Sequence, residues 1–218
     1  MATTGGNPAG SALAGQARGG TPRAALTELL AGNRRFVSGQ PVHGHDVTAA
    51  AATASGDQQP YAVVLGCIDS RVPLEAIFDQ TFGSICVIRT GAHVLDRAVL
   101  GSIEYVVEVL GVPLVMVLGH ERCGAVQATI DSLRTGRRPA GALAHLVDRI
   151  VPAVTEVGLD EKDLLPLAVR RHVVRTVAAL RADPRLTPPV AAGRLAVTGA
   201  VYDLATGEVA LLDPPERA

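Results

Sequence analysis

The chain has 218 residues, 20 Lys+Arg against 21 Asp+Glu, and 48% apolar residues. It is long and apolar enough for one domain with a real core, and its balanced charge offers no basic surface for nucleic acid or an anionic membrane. No Trp, three Tyr and three Phe leave no stacking platform for single strands, and three cysteines, an odd number without a repeating framework, argue against a disulfide scaffold.

Residues 1–20 are rich in Gly, Ala, Ser and Thr and read as a disordered tail, with a short second tail at 214–218 and a single domain over 21–213. The N-terminus has no apolar signal core, and no run of about 18 apolar residues exists, so the expectation is a cytoplasmic protein without a membrane span. Thr21-Pro22 reads as an N-cap followed by Pro at the first helical position. Leu26, Leu29, Leu30 and Phe36 continue that helix to Ser38-Gly39, and a short helix is expected around the alanines at 49–53.

The run Tyr61 to Leu65 lacks alternation, as in a strand covered on both faces. Residues 73–79 read as a short helix, Ile85 to Ile88 as a second buried strand, 96–110 as a helix and Pro113 to Leu118 as a third strand. Residues 123–134 form a helix, and 142–182 hold one or two more, broken near Gly158. Leu195 to Leu204 and Val209 to Leu212 flank Ala205-Thr206-Gly207 as a hairpin. The alternation predicts an α/β fold: a central, mainly parallel sheet flanked by helices, with an antiparallel C-terminal edge and an extended N-terminal helix.

Two segments carry chemistry. Cys67-Ile68-Asp69-Ser70-Arg71 follows the first strand, and His120-Glu121-Arg122-Cys123-Gly124 follows the third. Both fall at carboxyl ends of parallel strands, the edge where open α/β sheets place ligand sites. Cys67, His120 and Cys123 are thiolate and imidazole donors that favour zinc. Two thiolates balance the ion's double charge, and three protein donors leave the fourth tetrahedral position open, the mark of a catalytic site. Water there becomes a hydroxide source at neutral pH. Asp69 is close enough in sequence to compete as fourth ligand. Arg71 can hold it off by a bidentate pair, and Asp69 can then accept a hydrogen bond from the hydroxide and aim it.

Each residue alone has a plainer explanation: an inert core cysteine, a structural ion pair, a loop histidine. The joint pattern and its placement favour the metal site. Cys86 is read as core, and His43, His45, His145, His172 and, with reservation, His93 as structural. A phosphatase-type cysteine loop places Arg six residues after its Cys, but Pro73 stands there, and no Cys-x-x-Cys pair exists.

The chain resembles the β-carbonic anhydrases. The matching segments are Cys67 to Val72, Ile77-Phe78-Asp79, Gly101 to Tyr105 and Gly119 to Val126. Leu29 to Val37 is similar to the family's N-terminal helix, and Thr198 to Leu204 to its last large strand. The resemblance spans about residues 24–213 and implies one zinc per chain on Cys67, His120 and Cys123. It also implies an Asp69–Arg71 dyad, with Asp69 as a possible fourth ligand in a closed state, and a homodimer or tetramer with sites near subunit interfaces. By position it implies substrate contacts at Gln58, Tyr105 and the Gly124 amide. The implied reaction is the zinc-dependent, reversible hydration of carbon dioxide to bicarbonate and a proton by zinc-bound hydroxide. The alternatives are hydrolysis of carbonyl sulfide or carbon disulfide on the same fold, and a catalytically silent zinc-binding sensor or scaffold. Departures fall on the pocket wall: Cys86 where a bulkier residue is common, Gly83-Ser84 for Gly-Asp, and Arg89-Thr90-Gly91-Ala92-His93 for Arg-Asn-Ala-Gly-Asn.

Overall fold

A computed structural model describes residues 20–43, 46–54 and 58–212. The expected tails, apart from the exposed Gly20 at one end, lie outside these residues, as does His45.

Helix α1 (Pro22–Val37) starts as its sequence requires: the Thr21 hydroxyl accepts from the Ala24 amide, and Pro22 holds the first position. A short α2 (Val47–Ala52), capped by Asp46, follows. The sheet is built from β1 (Ala62–Cys67), β2 (Ile85–Thr90), β3 (Leu114–His120), β4 (Ala196–Tyr202) and β5 (Val209–Leu211). Its order is β2-β1-β3-β4-β5; β2, β1, β3 and β4 are parallel, and β5 is antiparallel to β4. Between the strands run α3 (Leu74–Ile77), α4 (Arg97–Glu108), α5 (Gly124–Thr135), α6 (Leu143–Val157), α7 (Leu164–Arg181) and α8 (Thr187–Ala191).

β1 and β3 are buried along their whole length, as their unbroken apolar runs predict. Their alternate side chains feed two cores. Ala62, Val64, Leu114, Met116 and Leu118 pack with Leu26 and Leu29 of α1 and with Leu74 and Ile77 of α3. Val63, Leu65, Val115 and Val117 pack with Ile130, Ile150, Val169 and Val173 of the helices on the other face.

β2 corrects the expectation of a second buried strand. It lies at the edge of the sheet and is only half buried, although its apolar run is as continuous as that of β1. Pattern alone does not tell an edge from a centre, because both can be apolar. The region 142–182 resolves into two helices, with Gly158 at φ 99° ending α6. α8, at Thr187-Pro188, is an element the sequence reading does not contain. None of the described helices is long and apolar enough to cross a membrane.

α7 sits unusually close to the sheet. A Cβ on Gly119 of β3 would come within 2.7 Å of Val173, and one on Gly199 of β4 within 2.7 Å of Val173 and 3.2 Å of Val177. Only glycine at both positions permits this approach. It brings His172 of α7, the neighbour of Val173, over the end of β1.

Candidate metal centre

Cys67 is the last residue of β1 and His120 the last of β3, while Cys123 caps the N-terminus of α5. Strand pairing continues one residue past each strand end: the Ile68 amide donates to Thr90 O (2.9 Å) and the Glu121 amide to Tyr202 O (3.0 Å). Both donor-bearing loops therefore leave a rigid sheet edge. A left-handed residue, Arg122 (φ 52°), turns the chain between His120 and Cys123.

The donor atoms of Cys67, His120 and Cys123 lie within 4.8 Å of one another, and all three residues are buried. His120 Nδ1 donates to the Glu121 carbonyl (2.8 Å), which leaves Nε2 as the bare nitrogen. That atom is buried without a partner among the described residues. Such an atom costs free energy unless something binds it. The thiols are in conflict as well. Cys67 is pushed well down, chiefly by a hydrogen bond from the Cys123 thiol and, against the cost of burial, by the adjacent His120 ring, with the Asp69 and Ala92 amides assisting. Cys123 is pushed up by the same contact and by burial, against the Ala125 and Val126 amides. Two buried thiols in contact cannot both ionise unless a cation joins them. A divalent ion of borderline softness satisfies both thiolates and the bare nitrogen at once.

Beside this group, Arg71 holds Asp69 in a fork: Nε to Oδ1 at 2.9 Å and Nη2 to Oδ2 at 2.7 Å, with the Arg71 amide on Oδ1 at 3.0 Å. The guanidinium keeps the Asp69 carboxyl far below the usual carboxylate range. Asp69 is not a member of the three-donor group.

Two other residues support the loop after β1. Arg89 of β2 donates from Nε to Cys67 O (2.8 Å) and from Nη2 to Asp69 O (2.7 Å). The Ala92 amide donates to Cys67 Sγ (3.3 Å). In the sequence, Arg89 and Ala92 stand only within a departure from the family pattern. An arginine one residue before a strand end was the available signal, but its targets are backbone carbonyls, which no side-chain motif marks.

Of the substrate contacts implied by resemblance, Gly124 is the exposed first residue of α5, with open space where a side chain would sit. Gln58 is exposed before β1, and Tyr105 is 51% exposed on α4. No hydrogen bond among the described residues joins either to the three-donor group. Cys86 is half buried, and burial pushes its thiol up. His93 and His172 are buried neighbours with ring centroids 4.6 Å apart, and burial pushes both rings down, His172 to about 4.

Comparison with known proteins decides the family. Residues 62–209 match the family model described as carbonic anhydrase. The chain belongs to the β-carbonic anhydrase family. It is 44% identical over 193 residues to "Carbonic anhydrase 2" of Mycobacterium tuberculosis, covering 88% of this chain and 93% of that protein. It is 45% identical over 194 residues to "Carbonic anhydrase" of Mycolicibacterium smegmatis, covering 87% and 93%. In fold it is similar to a tetrameric β-carbonic anhydrase from Sordaria macrospora, with a TM-score of 0.70 at 22% identity over 88% of this chain and 98% of that one. Membership of this family makes the chain an enzyme of the lyase class.

Proposed function

We propose that the chain reversibly hydrates carbon dioxide to bicarbonate and a proton, with zinc held by Cys67 Sγ, His120 Nε2 and Cys123 Sγ. The observation that carries the reading is the bare, buried His120 Nε2 facing two thiols, beside a carboxylate already clamped by arginine. Zinc bound there supplies Lewis acidity and makes a water-derived nucleophile available near neutral pH; the familiar value near 7 belongs to three-histidine carbonic anhydrase sites.

The chain's residues do the rest. Asp69 is ionised, so at its oxygens it accepts and does not donate. Oδ1 already takes two bonds from Arg71, and Oδ2 takes one. Oδ2 therefore keeps a lone pair for the O–H of the attacking nucleophile, whose free lone pair then points at the carbon of CO₂. For Asp69 to turn inward as a fourth ligand, it must first give up Arg71. The Gly124 amide, at the N-terminus of α5, donates to the anion as its charge grows. Arg71 is a positioning residue.

We assign Gln58 and Tyr105 to the wall of a site completed in a homo-oligomer, a dimer or a tetramer. Their exposure on the single chain and the tetrameric relative in fold support this. A cytoplasmic location agrees with the absence, among the described residues, of a membrane-spanning helix. Sulfur substrates and a silent zinc protein are not favoured, because the relatives matched over most of the chain are carbonic anhydrases.

The test is stopped-flow CO₂ hydration with zinc measured on the same sample. Fast hydration at one zinc per chain is expected. One zinc per chain with no hydration from pH 6 to 9 overturns the reading.

A further inference from the structure

Cys67 Sγ is held by a turn that holds itself poorly. Gly91–His93 form a single 3-10 turn in which Ala92 (φ 49°, ψ 42°) and His93 (φ 47°) are both left-handed. Two successive left-handed residues with side chains are unfavourable, and such a turn persists only where its surroundings impose it. Three contacts do so. The Val94 amide donates to Gly91 O (3.1 Å), and the Thr90 hydroxyl to Val94 O (3.0 Å). The third comes from across the core: His172 Nε2 lies 3.1 Å from the Ala92 carbonyl.

A carbonyl only accepts, so Nε2 carries the proton, and His172 is the Nε2–H tautomer. The residue whose carbonyl His172 grips is the one whose amide points at Cys67 Sγ. His172 reaches this point because Gly119 and Gly199 let α7 close on the sheet, and the His93 ring packs against its own.

We propose that His172 is a positioning residue for the metal-binding thiolate. By holding Ala92 in its left-handed conformation, it keeps the Ala92 amide on Cys67 Sγ and so limits how much charge that sulfur gives the metal. This rests on the zinc reading above. Without the bond the turn relaxes, the amide leaves the sulfur, and Cys67 becomes a stronger donor. The metal is then a weaker Lewis acid, and residues remote from it decide its acidity.

The test compares wild type with His172→Phe, which fills the volume without a donor, and His172→Gln, whose side-chain amide can replace Nε2–H. Cobalt(II) is substituted for zinc. In the Phe variant the sulfur-to-cobalt charge-transfer band moves to longer wavelength and the pH profile of kcat moves to higher pH. The Gln variant restores both. A folded Phe variant with wild-type spectrum and profile overturns the proposal. If that variant does not fold, nitrogen-15 NMR of the unaltered zinc protein decides: an Nε2–H His172 supports the proposal, and an Nδ1–H or charged ring overturns it. A wild-type chain that takes up neither zinc nor cobalt defeats the zinc reading and this inference together. Normal metal uptake and hydration with an unchanged Phe variant defeat the inference alone.

Discussion

The candidate metal centre has two arms, and they are held in different ways. His120 and Cys123 are organised mainly by their own neighbourhood: the Glu121 carbonyl on His120 Nδ1, the turn at Arg122, and the start of α5. Cys67 and Asp69 are held from the next strand and beyond. Arg89 grips two carbonyls of their loop, Thr90 accepts from Ile68, and Ala92 donates to the Cys67 sulfur. The first arm takes one such bond, from the Glu121 amide to Tyr202 O on β4. The second takes four, from residues twenty or more positions away, while the Asp69 carboxylate itself is held by Arg71 two residues on. A local arm tolerates changes elsewhere in the sheet, whereas a remote arm moves when its supports do.

The largest expected effect ignores that difference. Cys123→Ala removes a thiolate from the local arm, and zinc content and hydration fall together to background; retention of one zinc per chain in this variant would falsify the ligand assignment. Next comes Asp69→Asn. The variant keeps its zinc, because Asp69 is outside the three-donor group, but turnover drops by about 100-fold or more, the scale of a lost orienting contact. Full activity in that variant ends the role given to Asp69.

A smaller pair of changes compares the arms directly. Arg89→Ala frees the loop after β1 and weakens zinc binding about tenfold. Arg122→Gly keeps the left-handed turn without a side chain and leaves affinity within about twofold. Chelator competition on both proteins measures this, and equal losses would erase the distinction.

The smallest effect is a slope in stability with pH. Burial holds His172 near 4, well below its ordinary 6.5, with the Arg149 and Arg175 charges adding to it. The unfolded chain thus takes up a proton that the folded one refuses. The contribution of His172 is intact above about 6.5 and declines as pH falls toward 4, by about 1.4 kcal/mol for each unit of the shift. His172→Gln lacks that ring and loses less stability across the window. Parallel stability curves for the two proteins, measured by urea unfolding, would contradict this. Asp79 acts at lower pH. Burial alone would raise it, but Arg35 and the Val42 and His43 amides bring it down to about 2. Its support is present above about 3.8 and lost as pH falls through 2.

Much of the fold was legible because the signals are local. Thr21-Pro22 starts α1, Gly158 ends α6, and the unbroken apolar runs of β1 and β3 require cover on both faces. β2 was misplaced as buried because an apolar run does not say whether a strand has one neighbour or two. Arg89 and Ala92 were missed because they act on backbone atoms or through them.

What the sequence determined by itself was the donor set and the Asp69–Arg71 pair. Each comes from a few consecutive residues at a strand end, where spacing and chemistry already limit what the side chains can reach. The tertiary structure alone decided how the Cys67 sulfur is held. That depends on β2 lying beside β1 and on α7 closing over two glycines, so that an amide from residue 92 and an imidazole from residue 172 meet at one loop. The physical reason is that a hydrogen bond is set by distance in space, and only the packed sheet and helices bring these distant positions within 3.3 Å of their partners.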